Sequence, residues 1–487
     1  MPRRRKTIME KEIKTKAFVR AAAIFVLMFL LICVSTFVKY RAYGSFNDNG
    51  RDYSLILALA GSGVCVLLLL VSLFTYFIYS RQTMIEKTKE LAAICTAVVL
   101  SCVVCIGISA LGLFYMPMAL AAFVLVPLSA RRDVFIANIV TNLIVSVILL
   151  FESIMGSKVE AIPVLAMMII GIFTGSIVAY TMSDVVRRVV YVMRGIAIGL
   201  TTIALLFISS LIVNTFYFVD EIGFLCIPSF GQVLVGLLLQ PVFESVFNIL
   251  TNTKLTELTD HNAPLIKMLI NDALGTFNHS ITVASFAEVC ALRIGENPYL
   301  AKACAYYHDV GKAKNPTFFS ENQSGYNPHD ELLPEVSAKI LRAHTTDGYE
   351  LCIKHRIPEE VASVTLQHHG TLPMAVFYAK AKKLTDGDVD IKEYSYHGET
   401  PVTKIAAIIM ICDACEAALR ARNKPTGAEV DAIVGGIISD RIARRQFDNC
   451  DITLRDLNII KHTIIGLYGG LYHERVQYPS GKADGND

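Results

Sequence analysis

Seven residues in the second half of the chain have side chains suited to binding metal ions. They are His279, the adjacent pair His308 and Asp309, His344, the adjacent pair His368 and His369, and Asp413. Five imidazoles and two carboxylates form a nitrogen and oxygen ligand set that suits first-row transition ions. Because the seven residues are spread over 135 positions (279 to 413), a folded domain must bring them together.

Two local contexts favour this interpretation. Asp413 lies within an apolar helical pattern, Ile405 to Leu419, and a buried carboxylate needs a partner, which a metal ion supplies. His308 and Asp309 precede Gly311 and Lys312 at a predicted helix end, where a loosened last turn lets adjacent side chains face the same way. The alternative for this second pattern is a capped helix end with a surface aspartate and a solvated lysine.

The composition indicates what kind of chain carries these residues. Of 487 residues, 53% are hydrophobic and only 18% are charged, and all eleven histidines lie at or after His261. The first 250 residues hold 20 basic and 13 acidic side chains, a net of +7, whereas the remainder holds 25 and 30, a net of −5. We therefore expect a cationic membrane half and an acidic, soluble half. This acidity disfavours a nucleic acid polymer as the main partner.

Long apolar stretches in the first half predict membrane-spanning helices, which need about 20 residues to cross a hydrocarbon core of about 30 Å. The predicted spans are Ala21–Val38, Leu55–Tyr79, Leu91–Phe114, Val134–Phe151, Ala161–Met182, Gly195–Phe218 and Phe230–Phe247. A shorter segment, Met116–Leu128, is a thin span, a re-entrant segment or part of its neighbour. Ionisable residues at mid-membrane depth are scarce, which favours an anchor or signal-transmitting bundle over a transport path.

The charge of the loops predicts the orientation. Positive residues collect on the cytoplasmic side of a membrane. They are frequent in the N-terminal tail and in the loops after the second, fourth and sixth crossings, counting the short segment as the fourth: Arg3, Arg4, Arg5, Lys6, Lys11, Lys14, Lys16, Arg81, Lys87, Lys89, Arg131, Arg132, Arg187, Arg188 and Arg194. About eight crossings would place both ends in the cytoplasm. The loop Lys39 to Tyr53, which also contains basic residues, is an exception.

The predicted organisation is all-α. It consists of a basic cytosolic tail (1–20), a polytopic transmembrane helix bundle (21–250), a linker (251–270), a cytosolic all-helical domain (271–476) and a disordered tail (477–487). Helix signals predict helices at Tyr299–His308, Glu359–His369 and Val402–Arg420. The polar stretch Lys314–Glu331 could lie over the site. We expect the twelve cysteines, including Cys412 and Cys415, to be reduced thiols.

The combined motifs resemble a known family. The seven spaced ligands, together with Asn327-Pro328-His329-Asp330, Gln367-His368-His369-Gly370-Thr371 and Phe377-Tyr378, are similar to the membrane-anchored seven-transmembrane HD family of the HD-domain phosphohydrolase superfamily. That family includes the PgpH-type phosphodiesterases of bacteria, which cleave cyclic di-AMP. The resemblance covers the spans and essentially all of residues 265–475. It implies that the soluble half is an HD phosphohydrolase domain.

The resemblance also implies a two-metal site. His279, His308, Asp309 and Asp413 would bind one ion, and Asp309, His344, His368 and His369 the other, with Asp309 as the bridge. The expected cofactors are two divalent transition-metal ions, manganese or iron. The implied reaction is hydrolysis of cyclic di-AMP to pApA by a hydroxide that the two metals activate.

Asp309 and Lys312 are the predicted catalytic residues, with Lys312 neutralising charge in the transition state. Lys312, Asn327, His329 and Thr371 are the candidate substrate-binding residues, and surface-loop roles remain the alternative for Asn327 and His329.

One feature departs from the family, and two alternatives remain open. Family members typically carry a large extracytoplasmic domain between the first and second spans, whereas this chain has only the loop Lys39 to Ser54, which puts regulation by an external ligand in doubt. Hydrolysis of cyclic di-GMP or a nucleoside phosphate is one alternative, although Gly370-Thr371-Leu372-Pro373 lacks the Gly-Tyr-Pro signature of the cyclic di-GMP branch. The other is a non-catalytic nucleotide-binding membrane receptor. The expected partners are cyclic di-AMP and the lipid bilayer of a bacterial cell membrane, and a homodimer is left open.

Overall fold

The computed structural model describes residues 2–43, 51–81, 87–154, 159–212, 219–384, 388–422 and 424–471, and the predicted disordered tail 477–487 lies outside these ranges. Within them the chain is helical, with no β-strand and one isolated bridge between Pro373 and Ser395. The all-α prediction is confirmed. The chain divides into two compact units, Met1–Thr253 and Lys254–Asp487, so the division falls close to the composition change seen at Thr251.

Within its described residues, the first unit contains seven helices that are long and apolar enough to cross a membrane. They are α1 (Pro2–Tyr43), α2 (Arg51–Ser80), α3 (Thr88–Ile108), α5 (Arg131–Ile154), α6 (Ala161–Thr181), α7 (Arg188–Ile212) and α8 (Val219–Phe247), and a short helix α4 (Leu120–Leu125) lies between α3 and α5. The chain is thus built as a multi-pass membrane protein.

The start of α1 and the end of α3 differ from the sequence prediction. The basic segment 1–20 is helical from Pro2 and continuous with the first span, because no helix-breaking residue separates the two. Helix α3 ends at Ile108 rather than at Phe114. Gly112, at φ +152°, adopts a conformation that favours glycine and precedes a 3-10 turn at Leu113–Tyr115.

The short segment Met116–Leu128 is a separate element rather than part of a neighbouring helix. All six residues of α4 are buried, and polar side chains of other helices satisfy the backbone around it. Asn142 donates to the Met118 carbonyl at 3.0 Å, Gln232 accepts from the Ala119 amide at 3.2 Å, and Tyr191 donates to the Phe123 carbonyl at 2.8 Å. Irregular backbone at membrane depth is tolerated where protein surrounds it in this way.

The second unit contains eleven helices in its described residues. They are α9 (Asn252–Leu258), α10 (Pro264–Asp272), α11 (Leu274–Ile294), α12 (Pro298–Tyr307), α13 (Pro334–Lys354), α14 (Glu359–Ala362), α15 (Val364–Gln367), α16 (Ala375–Leu384), α17 (Lys404–Arg420), α18 (Gly427–Ala443) and α19 (Leu454–Leu471). Helix α11 packs against α12, α17 and α19. The segment predicted as a linker, 251–270, is therefore largely helical, and Pro264 at the first position of α10 is a start signal for that helix.

Local capping explains where the site-bearing helices begin. The Asn297 side chain accepts from the amides of Tyr299 and Leu300, which starts α12 as predicted. Helix α17 begins at Lys404, two residues later than predicted, because the Thr403 hydroxyl accepts from the Ala406 amide. The predicted helix Glu359–His369 is instead two short helices. The Thr365 hydroxyl donates to the Ala362 carbonyl at 2.8 Å, which competes with regular helix bonding at this break.

Candidate metal centre

The structure brings all seven predicted ligands together in two overlapping groups. His279, His308, Asp309 and Asp413 form one group, and Asp309, His344, His368 and His369 form the other. Within each group the potential ligand atoms lie within 4.8 Å of one another. Asp309 belongs to both groups, so its carboxylate links them.

The two oxygens of Asp309 face different groups. Oδ2 lies 3.2 Å from Nε2 of His308 and 3.7 Å from Nε2 of His279. Oδ1 lies 3.4 Å from Nε2 of His344 and 3.5 Å from Nε2 of His368. Asp309 itself is 1% exposed. This carboxylate therefore presents one oxygen to each histidine pair, as a bridging ligand would.

Asp413 completes the first group. Its Oδ1 lies 3.1 Å from Nε2 of His279 and 3.9 Å from Nε2 of His308. Its Oδ2 lies 3.8 Å from Nδ1 of His369, a member of the second group. Asp413 therefore also approaches a histidine of each group.

Backbone carbonyl groups orient three of the histidines. Nδ1 of His308 lies 2.7 Å from the Ala305 carbonyl, Nδ1 of His344 lies 2.5 Å from the Leu341 carbonyl, and Nδ1 of His368 lies 3.2 Å from the Val364 carbonyl. A carbonyl can only accept, so each Nδ1 carries the proton and each Nε2 offers a lone pair to the centre. The local helical turns thereby fix both the ring orientation and the tautomer.

Side chains orient the other two histidines. Nδ1 of His279 is hydrogen-bonded to Oε2 of Glu416, which is 7% exposed and lies one turn beyond Asp413 on α17. The ring of His369 stacks on that of Tyr396, with centroids 4.2 Å apart and planes at 26°. A carboxylate behind a ligating histidine is a recurrent feature of metal sites, where it raises the basicity of the ligand.

Two glycines allow the chain to approach the site closely. A Cβ atom at Gly311 would lie 2.0 Å from the His344 carbonyl oxygen, so only glycine lets the turn after Asp309 pack against α13. Gly370, directly after the histidine pair, has φ +52°, and a Cβ there would lie 2.2 Å from Oε1 of Gln446. From the sequence, Gly311 was expected to loosen the helix end. In the structure it instead leaves space for the His344 carbonyl group.

The electrostatics of the centre fit a cation. Nε2 of His344 and Nε2 of His368 lie 3.3 Å apart, although both are lone-pair acceptors in the tautomers fixed above. Nε2 of His308 and Oδ1 of Asp309 are buried and make no hydrogen bond among the described residues. Converging, unsatisfied acceptors in a buried site are costly unless a cation lies between them. The residues therefore fit divalent metal ions.

The pKa values of several of the histidines are also shifted in the metal-free protein. Burial by itself disfavours a charged imidazole, but the carboxylates of Asp309 and Asp413 outweigh it and raise the pKa of His308 to about 10. Burial dominates at His344 and lowers its pKa to about 3. Burial and the neighbouring His368 also lower the pKa of His369. His308 in the first group is thus a favourable position for positive charge, whereas His344 and His369 in the second group stay neutral and can bind a metal.

Lys312 is a buried member of the centre rather than a solvated lysine. Its Nζ lies 2.6 Å from Oδ2 of Asp309 and 2.8 Å from Oε1 of Glu321, and its side chain is 12% exposed. Its ammonium also lies over the ring of Phe319, 5.1 Å from the centroid. The lysine therefore provides a fixed positive charge beside the shared carboxylate.

A cleft of about 520 Å³ opens onto the centre. The metal-binding groups and Lys312 lie on one part of its surface, and Phe318, Phe319, Glu321, Gln323, Asn327 and His329 of the polar stretch line another. The stretch thus covers the site through three 3-10 turns, Pro316–Phe318, Ser320–Asn322 and Pro328–Asp330. Thr371 is not among the residues that line the cleft, and its hydroxyl accepts from Nε2 of Gln446 at 2.9 Å.

Asn327 and His329 have structural as well as cleft-facing roles. The Asn327 side chain accepts from the His329 amide at 3.2 Å and caps a 3-10 turn. Nε2 of His329 is hydrogen-bonded to the Phe318 carbonyl at 3.0 Å, and its ring contacts the rings of Phe318 and Phe377. Its Nδ1 is buried without a hydrogen bond among the described residues.

Sequence reasoning missed three residues of the centre. Glu416 had a usable signal, since it is a second carboxylate in the same apolar helix as Asp413 and requires a partner for the same reason. Glu321 and Tyr396 had none, because their roles depend on contacts with Lys312 and His369 that only the fold creates.

Comparisons with known proteins agree with this geometry. The model of the HD domain family matches residues 276–418, a range that contains all seven candidate ligands. The cyclic-di-AMP phosphodiesterase PgpH of Listeria monocytogenes serotype 1/2a (strain 10403S) is 39% identical over 316 residues, which cover 64% of this chain and 44% of that protein. The cyclic-di-AMP phosphodiesterase PgpH of Bacillus subtilis (strain 168) is 39% identical over 274 residues, covering 55% and 38%.

Two crystal structures of the L. monocytogenes PgpH HD domain are also similar. The domain alone is 44% identical with a TM-score of 0.42, and its complex with cyclic-di-AMP is 45% identical with a TM-score of 0.43. Each match covers 44% of this chain and 100% of the crystallised chain. The chain spans less than half the length of the two curated PgpH relatives.

Proposed function

Because the chain contains an HD domain and is homologous to curated PgpH cyclic-di-AMP phosphodiesterases, we propose that it is a membrane-anchored, metal-dependent phosphodiesterase that hydrolyses cyclic di-AMP to pApA. The observation that carries the proposal is the carboxylate of Asp309, which presents one oxygen to each of two histidine groups, and His279, His344, His368 and His369 of these groups line a cleft. A single-metal site would need only one of these groups.

The two groups would hold two divalent transition-metal ions, manganese or iron. His279, His308 and Asp413 would bind one ion, His344, His368 and His369 the other, and Asp309 both. When bound, such ions act as Lewis acids on a phosphodiester and lower the pKa of coordinated water. Nitrogen and oxygen ligands suit manganese and iron alike, so the donor set supports the class of metal rather than one element.

The reaction is a displacement at phosphorus. A water oxygen forms a bond to one phosphorus atom, the bond from that phosphorus to the 3′ oxygen breaks, and a proton is transferred to the departing oxygen. The product has a 5′ phosphate and a free 3′ hydroxyl. The carboxylates of Asp309 and Glu321 hold the ammonium of Lys312 in place. This ammonium can therefore stabilise the negative charge that builds up on the phosphoryl group.

The walls of the cleft suit adenine bases. Phe318, Phe377 and Tyr396 line it, and aromatic side chains provide stacking surfaces for nucleobases. The amides of Gln323 and Asn327 lie in the same lining, and asparagine or glutamine pairs well with the hydrogen-bonding edge of adenine. His329 supports this wall through its contacts with Phe318 and Phe377. Thr371 would act indirectly, by holding Gln446 against Gly370.

We propose that the N-terminus and the HD domain both face the cytoplasm. The basic loops support this orientation, which requires the chain to return across the membrane between α3 and α5. The largely buried segment Met116–Leu128, with its satisfied backbone around α4, is suited to that crossing. Fusions of green fluorescent protein and of alkaline phosphatase to the C-terminus test it. Fluorescence without phosphatase activity is expected, and the reverse would refute the orientation.

Turnover by the full chain in detergent tests the enzymatic proposal. With Mn²⁺ and a reductant, we expect conversion of cyclic di-AMP to pApA and no conversion by the Asp309→Ala variant. Preferential cleavage of cyclic di-GMP would favour a different nucleotide as substrate. Tight binding of cyclic di-AMP without cleavage, in protein shown to contain metal, would favour a receptor.

A further inference from the structure

Two arginines lie in the cleft at a distance from the metal-binding groups. Helix α17 contributes Met410, Asp413, Ala414, Ala417 and Arg420 to the lining, and α18 contributes Arg441. The α17 residues follow the three- and four-residue spacing of one helix face. Arg420 lies seven residues beyond Asp413, which corresponds to about 10 Å along the axis.

The guanidinium groups are held in place but remain available. Nε of Arg420 lies 3.6 Å from Oε1 of Glu416, its side chain is 43% exposed, and its two terminal nitrogens have no acceptor among the described residues. Nη1 of Arg441 lies 2.6 Å from Oδ2 of Asp440, and its side chain is 18% exposed. Nε of Arg441 is buried without a hydrogen-bond partner in the described part of the chain.

The acidic residues nearby do not cancel this positive charge. Asp440 is shared between Arg441 and Arg444, since its Oδ1 lies 2.8 Å from Nε of Arg444. The second oxygen of Glu416 is used by His279. A cleft lined by one guanidinium that has a buried, unpartnered nitrogen and by a second, exposed guanidinium favours an anion with several acceptor oxygens, and arginine pairs with phosphate in this way.

The floor between the metals and the arginines is open. Ala414 and Ala417 are the α17 residues that line it between Asp413 and Arg420, and their side chains are a single methyl group. A substrate can therefore lie along this face of α17 with one end at the metal-binding groups and the other at the arginines.

We propose that Arg420 and Arg441 bind the phosphate of a cyclic dinucleotide that is not being cleaved. This subsite rests on the proposed function, because it assumes that the metal-binding groups hold the other phosphate. It makes the cleft selective for substrates with two phosphates. A phosphodiester with a single phosphate reaches the metals without using the arginines.

The test compares three ligands in the full chain in detergent with Mn²⁺. Cyclic di-AMP has two phosphates, bis(p-nitrophenyl) phosphate has one, and pApA is the proposed product, whose binding is measured at equilibrium without turnover. The variants are Arg420→Ala and Arg441→Ala. Arg422→Ala is the matched control, because Arg422 is an exposed neighbour outside the cleft lining.

We expect each cleft variant to raise the KM for cyclic di-AMP and the Kd for pApA by about tenfold or more, the loss that follows from removing a hydrogen-bonded charge pair. The rate on bis(p-nitrophenyl) phosphate should stay at the wild-type value, and Arg422→Ala should change none of the three readouts. The mono-phosphate substrate separates loss of the subsite from damage to the centre, a control that Arg420→Ala needs because Arg420 contacts Glu416, whose other oxygen contacts His279.

Unchanged KM and Kd in both cleft variants would overturn the subsite. An equal loss of activity on both substrates would also overturn it, by showing that the arginines support the metal centre instead. If the wild-type chain hydrolyses neither substrate, the proposed function fails, and the Kd for pApA still decides the subsite: weaker binding by the cleft variants supports it, and equal or absent binding refutes it.

Discussion

Replacing Glu416 should weaken the binding of one metal ion and leave the binding of the other unchanged. Glu416 is the carboxylate behind His279, whereas backbone carbonyls orient His308, His344 and His368. A substitution of Glu416 can therefore remove the hydrogen-bond partner of His279 without altering the partners of the other three histidines. In Glu416→Ala, the Nδ1 proton of His279 loses its buried acceptor, and the ring is free to rotate away from Asp413.

The expected size follows from the lost interaction. A hydrogen bond to a charged group contributes about 1.5 to 3 kcal/mol, which corresponds to a loss of about 10- to 100-fold in affinity for the ion bound by the His279 group. Glu416→Gln keeps an acceptor but loses the charge, so its loss should be smaller. The second ion, whose ligands do not contact Glu416, should bind as in the wild type.

Metal titration of the full chain measures this directly. Mn²⁺ binding curves should show two sites in the wild-type protein. In Glu416→Ala the affinity of one site should be lower, and excess Mn²⁺ should restore the activity of this variant. Glu288→Ala is the control, because it removes a glutamate of similar size that pairs with Lys302 away from the ligands. Two unshifted sites in Glu416→Ala would refute the argument that this carboxylate positions His279.

Three further outcomes are expected. In the metal-free protein the carboxylates of Asp309 and Asp413 outweigh burial and raise the pKa of His308 to about 10, so this imidazole is protonated at pH 7 and metal binding must displace its proton. Adding Mn²⁺ to weakly buffered protein should release protons, and affinity should rise with pH up to about 10; an absence of proton release would contradict this. Tyr396→Ala should weaken Mn²⁺ binding through His369 and Tyr396→Phe should not, whereas equal effects of the two would argue against stacking as the cause. Lys312→Ala should lower kcat more than it raises KM for cyclic di-AMP, and a change in KM alone would place the lysine in binding.

Five of the seven candidate ligands were accessible from sequence because each carries a local signal, whereas His279 and His344 carry none and were singled out together with them. His308 and Asp309 stand at a helix end, the paired His368 and His369 precede a glycine, and Asp413 interrupts an apolar helix. The signal of Asp413 is a physical one, because a carboxylate in an apolar helix needs a partner. The structure groups them in the same two sets that the family resemblance implied.

The partners of the ligands were not accessible in the same way. Glu416 and His279 are 137 positions apart, and the contact depends on how α11 packs against α17. Tyr396 and Arg441 reach the cleft from segments with no motif of their own. Such contacts arise from tertiary packing, which local patterns do not encode.

The exact starts of helices were also difficult to predict from the sequence. Sequence signals placed the start of α17 after Pro401, but the Thr403 hydroxyl supplies the cap and moves the start to Lys404. The predicted linker 251–270 was judged by its polar composition, although Pro264 begins a helix there. Composition indicated a division near Thr251 and missed the helices that follow it.

The shared carboxylate of Asp309 is the central element of the account, and the spectrum of bound manganese tests it most directly. Electron paramagnetic resonance of the full chain loaded with Mn²⁺, with metal content measured on the same sample, should show two ions per chain that are magnetically coupled through their common ligand. Asp309→Ala should lose the coupling and most of the metal. Uncoupled Mn²⁺, or a single ion per chain at saturation, would contradict a bridged two-metal centre.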